Sequence, residues 1–274
     1  MRKLLAALAI TLCSAGAVAP PAAAQPGIEP AGAVALPDGP AQAWLLADLD
    51  TGAILASRNP NEPHAPASTI KPLLAMVVLD NLRPDNFARA NSSHTEVECS
   101  CVGLKPGQPY TVHQLLGALL MVSGNDAANM LADMLGGQGV AVPAMNRKAA
   151  AVGARSTRAS SPSGLDGPGW ESITTPHDLA VIYRAALTYP LIAHIMAEQS
   201  AQFPGKTITN QNELLTRYPG AFAGKTGFTN LARHTYVAAA QRGNRRLVVV
   251  EMYGTGDLYG QAISLFDWGF SQPR

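Results

Sequence analysis

The sequence predicts an α+β fold, and three observations lead to that class. Strand patterns occur near both ends of the chain, helical patterns occupy the middle, and the composition supplies one large core. Of the 274 residues, 47% are hydrophobic and 14% are charged, as is typical of globular proteins. We expect the terminal strands to form one antiparallel sheet, with the helical middle against one side and a cleft between the two parts.

Two hairpins supply the predicted strands. Residues 44–47 and 53–56 are apolar segments that flank an Asp-Thr-Gly turn, and residues 234–240 and 247–253 flank an Arg-Gly-Asn turn. Short apolar runs on either side of such turns are typical of β-hairpins. The second hairpin contains a continuous Leu-Val-Val-Val run, which indicates a buried strand.

Helices are predicted between the hairpins and at the end of the chain. Thr111 and Gln114 form a capping-box pattern, and Thr175 precedes Pro176, a residue type favoured at the first position of a helix. Apolar residues then recur at helical spacing. The predicted helices cover residues 71–82, 112–122, 126–135, 176–187 and 257–270.

The N-terminus has the pattern of a secretory signal. Arg2 and Lys3 precede an apolar run, residues 4–19, and a small-residue cleavage site at residues 22–24. The run is shorter than the ~20 apolar residues that a spanning helix needs. Residues 1–24 are therefore predicted to be a cleaved signal peptide rather than a membrane anchor. We expect a mature protein in the bacterial cell envelope, without an integral membrane segment.

The remaining chain is predicted to be a leader followed by one folded domain. Residues 25–40 are rich in Pro, Ala and Gly, which predicts a flexible leader, and the domain is expected to cover residues 41–274. The whole chain carries a net charge of +1 and has no basic block, so a nucleic-acid partner is not expected.

Cys99 and Cys101 are separated by a single residue, Ser100. In an exported protein they either form a tight disulfide bond or remain packed thiols, and the sequence leaves both open. No Cys or His pair at ligand spacing follows them, so no zinc site is predicted, and no cofactor is expected. The histidines are assigned structural roles. They are His64, His94, His113, His177, His194 and His234.

Three short motifs occur once each: S-x-x-K at residues 68–71, S-G-N at residues 123–125 and K-T-G at residues 225–227. Alone, each has an ordinary alternative, namely a helix cap with a surface lysine, a link between two helices, and a turn into a strand. Together and in this order, they predict an acyl-transfer site with a nucleophile, a base, a proton relay and a carboxylate binder.

In the first motif, Ser68 is the predicted nucleophile and Lys71 is its base. Residues at i and i+3 share one face of a helix, so the two side chains are expected to touch, and Pro72 places them at a helix start. A lysine is a base only when neutral, and burial together with a nearby cation such as Lys225 lowers its pKa. The helix start also directs N–H groups toward Ser68, where they bind an oxyanion.

The second motif is expected to lie between two helices and to serve proton transfer. Ser123 is predicted to relay a proton to the leaving amine. Asn125 is predicted to bind a substrate amide and Lys71.

The third motif is expected on an edge strand that lines the cleft. Lys225 and Thr226 are predicted to hold a substrate carboxylate by charge and by hydroxyl hydrogen bonds, and Gly227 allows a substrate backbone to approach. The N–H groups of Phe228 and Ser68 are the predicted oxyanion donors.

These motifs and their flanks resemble the serine D-alanyl-D-alanine carboxypeptidases, the low-molecular-weight penicillin-binding proteins. The resemblance implies the β-lactamase/transpeptidase-like fold, with residues 41–274 as the catalytic domain. It also implies removal of the terminal D-alanine from peptidoglycan stem pentapeptides through a Ser68 acyl-enzyme, and acylation of the same serine by β-lactam antibiotics as covalent inhibitors. The resembling segments are residues 66–71, 123–128, 164–165, 175–180 and 225–230.

The chain departs from this family in three respects. Some members carry an Arg before K-T-G that binds the terminal carboxylate; here Gln211 stands near that place, with Arg233 as a possible helper. The β-rich second domain and C-terminal membrane anchor of many members are not expected. The Glu that activates the deacylating water in class A β-lactamases has no counterpart, because Glu171 and Glu213 lack its sequence context. A long-lived penicilloyl-enzyme is therefore predicted.

Other activities remain open at this point. A D,D-endopeptidase or transpeptidase differs only in the leaving group or the acceptor, and a β-lactamase-like hydrolase requires fast deacylation. A non-catalytic cell-wall binding module would keep the groove without the chemistry. The intact Ser68, Lys71, Ser123 and Lys225 argue against the binding module, whereas the motifs do not separate a carboxypeptidase from an endopeptidase or transpeptidase.

Overall fold

The computed structural model describes residues 35–273. The predicted signal peptide, residues 1–24, and residues 25–34 of the predicted leader lie outside the described residues. In the described part, strands from both ends of the chain meet in one five-stranded antiparallel sheet, accompanied by two small two-stranded sheets. This arrangement confirms the predicted α+β class.

The strands and helices are as follows. The strands are β1 (Ala41–Asp48), β2 (Ile54–Arg58), β3 (Phe87–Arg89), β4 (Pro109–Thr111), β5 (Ser200–Phe203), β6 (Lys206–Thr209), β7 (Ala221–Thr229), β8 (Arg233–Arg242) and β9 (Arg245–Gly254). The helices are α1 (Lys71–Asn81), α2 (Ser92–Thr95), α3 (Val112–Met121), α4 (Asn125–Met134), α5 (Gln138–Val152), α6 (Pro176–Ala186), α7 (Pro190–Ala197), α8 (Leu214–Arg217) and α9 (Leu258–Ser271).

The large sheet has the strand order β2-β1-β9-β8-β7. Strand β1 pairs with β9, with Leu45 opposite Val250, so the two predicted hairpins join side by side. Strand β7, which carries the K-T-G motif, stands at the edge of the sheet as predicted. An edge strand presents unpaired N–H and C=O groups, so β7 offers backbone hydrogen bonds to an extended ligand.

Both faces of the sheet are buried, each by a different set of helices. On one face, Phe266 of α9 packs with Trp44 and Tyr236. On the other face, the helices of the middle region pack against Leu45 and Val250. Because both faces are covered, the central strands read as continuous apolar runs rather than as alternating patterns.

The predicted helices are all present, with ends that differ by a residue or two. Helices α2, α5, α7 and α8 and the two small sheets were not predicted. Helix α5 contains Pro143, and its buried residues are Ala141, Met145 and Ala149. This narrow stripe of mostly small side chains gives a weak periodic signal, which is why the sequence pattern missed the helix.

Among residues 35–273, no single helix is both long and apolar enough to cross a membrane. Helices α6 and α7 meet that criterion only when taken together, by length and composition, and they are bent by 106° at their junction.

Candidate active site

Ser68 lies in a 3₁₀ turn, Ala67–Ile70, that leads directly into α1, and Lys71 is the first residue of that helix. Pro72 follows in the first turn, where a missing N–H is tolerated. The Lys71 Nζ lies 2.6 Å from the Ser68 Oγ. The contact predicted from the spacing of three residues is therefore confirmed.

The same Nζ also reaches the second motif. It lies 3.3 Å from the Ser123 Oγ and 2.7 Å from the Asn125 Oδ1. The Lys71 side chain is completely buried, so these oxygen atoms form the polar surroundings of its amine. A lysine nitrogen between two hydroxyl groups is suited to pass a proton from one to the other.

The electrostatic surroundings favour a neutral Lys71. Burial is the largest of the causes that hold the pKa of Lys71 well below its ordinary range, and the positive charge of Lys225 is the second. The carboxylate of Asp126 acts in the opposite direction and raises this pKa. This confirms the expectation that Lys225 is the neighbouring cation. Burial also lowers the pKa of Lys225 itself, to about 7.

Two residues of the site have backbone conformations that non-glycine residues rarely adopt. Ala67, immediately before the first motif, has φ of 47°, and Ser123 has φ of 62°. Such conformations persist only where the surrounding structure imposes them, and they concentrate at functional sites. In Ser123 this conformation forms the turn that separates α3 from α4.

A cleft of about 400 Å³ opens beside Ser68. Six of the predicted site residues line this cleft. Gln211, which stands in the sequence near the place of the family's carboxylate-binding Arg, lines the cleft as well. The predicted lining residues are Ser68, Ser123, Asn125, Thr226, Gly227 and Phe228. Gly164, Leu165 and Thr229, which belong to the resembling segments, also line it; the lining residues that neither a motif nor a resembling segment indicated are Glu98, Cys99, Ser100 and His234.

The two lysines are not part of this lining. Lys225 is buried, and its Nζ donates a hydrogen bond to the Thr226 carbonyl oxygen at 2.7 Å. Lys71 is buried as well. Arg233, the candidate helper for carboxylate binding, is exposed and lies outside the lining.

Gly227 is required by the close approach of β7 to Ser68. A Cβ atom at this position would lie 2.9 Å from the backbone nitrogen of Ser68 and 2.4 Å from the Thr235 Oγ1. Any side chain would therefore push the K-T-G strand away from Ser68. The expected reason for this glycine was access for the substrate; the structure adds close packing against Ser68.

The cysteines that the sequence left undecided form a disulfide bond between Cys99 and Cys101. The bridge lies at the cleft, because Cys99 lines it together with Glu98 and Ser100. Asn125 donates from its Nδ2 to the Glu98 carbonyl oxygen at 2.7 Å. This loop therefore contacts the second motif directly.

His234 was assigned a structural role from the sequence, but it lies at the cleft, where its ring packs on Phe228 with centroids 4.8 Å apart. The two residues face each other in the pairing of β7 with β8. The proximity of His234 and Phe228 depends on strand register, which no short sequence motif reveals.

The acidic residues considered as deacylation bases lie away from the cleft lining. Glu171 accepts a hydrogen bond from the Gly169 N–H, and Glu213 pairs with Arg217. Among the described residues that line the cleft, Glu98 is the one carboxylate, and it is exposed. Within residues 35–273, no group of three or more His, Cys, Asp or Glu side chains is placed to hold a metal ion.

Comparisons with known proteins agree with this geometry. Residues 31–255 match the model of the family described as D-alanyl-D-alanine carboxypeptidase. The chain is 58% identical over 253 residues to the D-alanyl-D-alanine carboxypeptidase DacB2 of Mycobacterium tuberculosis, a match that covers 89% of this chain and 87% of the relative. It is 29% identical to DacF of Bacillus subtilis, where the match covers 85% of this chain but 62% of that longer protein.

Solved structures extend the agreement to the fold. The crystal structure of D-alanyl-D-alanine carboxypeptidase from Mycobacterium tuberculosis H37Rv is similar at a TM-score of 0.86 and 56% identity, over 90% of this chain and 97% of that one. Penicillin binding protein 6B from Escherichia coli is similar at a TM-score of 0.78 and 31% identity, over 88% of this chain and 80% of that one.

Proposed function

We propose that this chain, which belongs to the D-alanyl-D-alanine carboxypeptidase family, removes the terminal D-alanine of peptidoglycan stem pentapeptides through an acyl-enzyme on Ser68. The observation that carries the proposal is the buried Lys71 Nζ, which contacts both the Ser68 Oγ and the Ser123 Oγ. The family relationship makes the protein a serine-type hydrolase that acts on peptidoglycan peptides. The roles of the individual residues are our proposal.

In the acylation step, neutral Lys71 takes the proton of the Ser68 hydroxyl as the Oγ attacks the carbonyl carbon of the penultimate D-alanine. The carbonyl oxygen becomes an oxyanion, which the N–H groups of Ser68 and Phe228 stabilise. The low pKa of Lys71 supports this role, because burial and the charge of Lys225 favour its neutral form.

The intermediate then collapses as the carbon–nitrogen bond to the terminal D-alanine breaks. The proton held on Lys71 passes through the Ser123 hydroxyl to the leaving amine, which departs as free D-alanine. Asn125 holds Lys71 in place and binds the amide group of the substrate. In deacylation, Lys71 takes a proton from water as the water oxygen attacks the ester carbon. The bond between that carbon and the Ser68 Oγ then breaks, the shortened peptide leaves as a carboxylic acid, and Lys71 returns the proton to Ser68.

The terminal carboxylate of the substrate is bound at the K-T-G strand. The Thr226 hydroxyl supplies a hydrogen bond from the lining, and Lys225 supplies positive charge from behind it. Gln211 adds a neutral amide to this part of the cleft. β-Lactams present a carboxylate and a strained amide, so they acylate the same serine.

The family acts on the cell wall, outside the cytoplasm. We propose that residues 1–24 direct export as a signal peptide, in agreement with their sequence pattern, and that residues 41–274 form the catalytic domain.

The test is release of D-alanine from an acyl-Lys-D-Ala-D-Ala tripeptide by the purified protein, with Ser68→Ala as the control. We expect release by the wild type alone, and a covalent mass increase with benzylpenicillin that Ser68→Ala lacks. A mass increase without D-alanine release would point to an endopeptidase that needs cross-linked substrate. Folded wild type with neither signal would contradict the proposal and favour a wall-binding module.

A further inference from the structure

We propose that Asp126 is a positioning residue for acylation, because its carboxylate anchors one wall of the cleft and thereby the side chain of Asn125. We name residues 98–104 the wall segment. Glu98, Cys99 and Ser100 of this segment line the cleft. The inference rests on the proposed function, since it concerns the same acyl-enzyme on Ser68.

The Asp126 carboxylate binds consecutive N–H groups of the wall segment. Val102 donates to its Oδ1 at 3.0 Å, and Gly103 and Leu104 donate to its Oδ2 at 2.8 and 3.0 Å. Ala127, within α4, donates to Oδ1 at 2.9 Å. The side chain is almost completely buried. Successive backbone N–H groups that converge on one anion form a strong binding concavity.

The residue before Asp126 fastens the other half of the wall segment. The backbone N–H of Asn125 donates to the Ser100 carbonyl oxygen at 2.6 Å, and its Nδ2 donates to the Glu98 carbonyl oxygen at 2.7 Å. Because Nδ2 faces Glu98, the Oδ1 atom faces Lys71, 2.7 Å from its Nζ. The wall segment therefore sets the orientation of the amide that contacts the base.

These contacts make Asp126 and Asn125 one unit at the start of α4. A carboxylate has only acceptor atoms, whereas an Asn at position 126 would carry an NH₂ group that opposes at least one of the donating N–H groups. Loss of the carboxylate would release residues 102–104. The carbonyl groups of Glu98 and Ser100 would then no longer be held against Asn125.

Asp126 also acts on Lys71 through its charge. The charged groups that act on the pKa of Lys71 are the cation of Lys225 on β7 and the carboxylate of Asp126 on α4, and Asp126 raises that pKa against the effects of burial and Lys225. Tyr183 of α6, which donates to the Thr69 carbonyl oxygen, stays uncharged because burial raises its pKa well above the usual range. A neutral replacement of Asp126 removes a negative charge that favours protonated Lys71.

The test is the second-order rate of acylation by benzylpenicillin across a pH series, measured for the wild type and for Asp126→Asn. We expect Asp126→Asn to lower the maximal rate by about 10- to 100-fold, the loss that follows misplacement of a catalytic group. We also expect the acid limb of its pH profile to move to lower pH, because Lys71 loses its proton more readily. Displacement of the limb distinguishes this role from a general loss of stability.

The matched control is Asp178→Asn. Asp178 is also buried and also accepts hydrogen bonds from a loop, at 2.6 Å from the Ser156 N–H and 3.0 Å from the Thr157 hydroxyl, but it lies on α6 outside the cleft lining. We expect Asp178→Asn to lower the melting temperature while its acylation rate stays within about threefold of the wild-type rate. A threefold change corresponds to less than about 1 kcal/mol in activation free energy. Equal rate losses in both variants would overturn the proposal.

A second variant covers the case in which Asp126→Asn does not fold. Lys206 donates from its Nζ to the Val102 carbonyl oxygen and so holds the wall segment from the other side. We expect Lys206→Met to slow acylation without moving the acid limb, because the charge at Asp126 remains. An unchanged rate in Lys206→Met, or an unshifted profile in folded Asp126→Asn, would overturn the inference. Absence of acylation in the wild type would instead refute the proposed function.

Discussion

Lys71 and Asn125 are separated by 54 positions in the chain, yet the Nζ of one lies 2.7 Å from the Oδ1 of the other in a buried site. This hydrogen bond joins the start of α1 to the start of α4, and it places the lysine of the first motif beside the hydroxyl of the second. The protonation state of Lys71 therefore depends on charges that come from separate parts of the fold.

Replacement of Lys225 by Ala is expected to raise the pKa of Lys71. Burial is the largest cause of the lowered pKa, and the positive charge of Lys225 is the next; removal of that cation stabilises protonated Lys71. The acid limb of the acylation profile should therefore move to higher pH, opposite to the shift expected for Asp126→Asn. The measurement is acylation by a neutral ester across a pH series.

Lys225→Arg is the control for this experiment, because an arginine keeps its positive charge at all working pH values. Its acid limb should lie at or below the wild-type position. Coincident profiles of Lys225→Ala and the wild type would show that the Lys225 charge does not govern Lys71.

Lys225→Ala is also expected to impair peptide substrates more than esters that lack a carboxylate. The reason is that Lys225 supplies positive charge, from a buried position, near Thr226, which we propose binds the substrate carboxylate. The measurement is kcat/KM for a D-Ala-D-Ala peptide and for an uncharged ester, at one pH. Equal losses for both substrates would assign Lys225 to tuning Lys71 alone.

Gly164→Ala is expected to destabilise the fold strongly. Gly164 has φ of 85°, and a Cβ atom there would lie 1.9 Å from the carbonyl oxygen of Ala67, the residue before Ser68. The matched control is Gly107→Ala, where φ is 86° and nothing lies within 4 Å of the new Cβ. The control should lose about 1–2 kcal/mol from the left-handed backbone alone.

Thermal unfolding measures this difference. Gly164→Ala should melt at least several degrees below Gly107→Ala, since each kcal/mol shifts the melting temperature by about 2–4 °C in a domain of this size. Equal melting temperatures would mean that the 163–165 loop moves away from Ala67 without loss of packing.

Benzylpenicillin is expected to form a long-lived acyl-enzyme. Glu171 and Glu213 are engaged away from the cleft, and the exposed Glu98 is the one carboxylate among the described lining residues. In the part of the chain that the structure describes, the cleft lining thus holds no buried carboxylate to activate the deacylating water. The measurement is steady-state hydrolysis; turnover faster than about one per second, well within the ordinary enzyme range, would refute the expectation.

Glu251→Gln is expected to stabilise the protein at neutral pH. Glu251 is buried in the sheet, and its carboxylate oxygens have no hydrogen-bond partner among the described residues. Burial is the larger cause that raises the pKa of Glu251 well above its usual 4.5, and the negative charge of Asp257 is the smaller one. The folded state thus binds the proton of the Glu251 carboxyl more tightly than the unfolded state does. The resulting contribution to the free energy of unfolding is complete below pH 4.5 and is lost as pH rises through the folded-state pKa.

Chemical denaturation at several pH values checks this sign. The free energy of unfolding of the wild type should fall relative to Glu251→Gln as pH rises, by about 1.4 kcal/mol for each unit by which the folded pKa exceeds the unfolded one. Parallel curves for the two proteins would show that Glu251 keeps an ordinary pKa in the fold.

Local patterns were sufficient for the two hairpins, for five helices and for one contact of the site. The turns of the two hairpins, the Thr111 capping box and Pro176 at a helix start all depend on residues within one turn of each other, and each is present. The contact between Ser68 and Lys71 belongs to the same class. Helix α5 was not predicted, because its buried stripe is formed mainly by small residues.

Turn chemistry, periodicity and residue type within short windows are enough to predict the sheet-forming hairpins, five of the nine described helices and the three motifs. The contact of Asn125 with Lys71, the hydrogen bonds of Asp126 to the wall segment and the packing of His234 on Phe228 at the cleft arise from the tertiary fold. Strand register and helix packing are set by burial of the whole core, a sum over distant residues that no local pattern encodes.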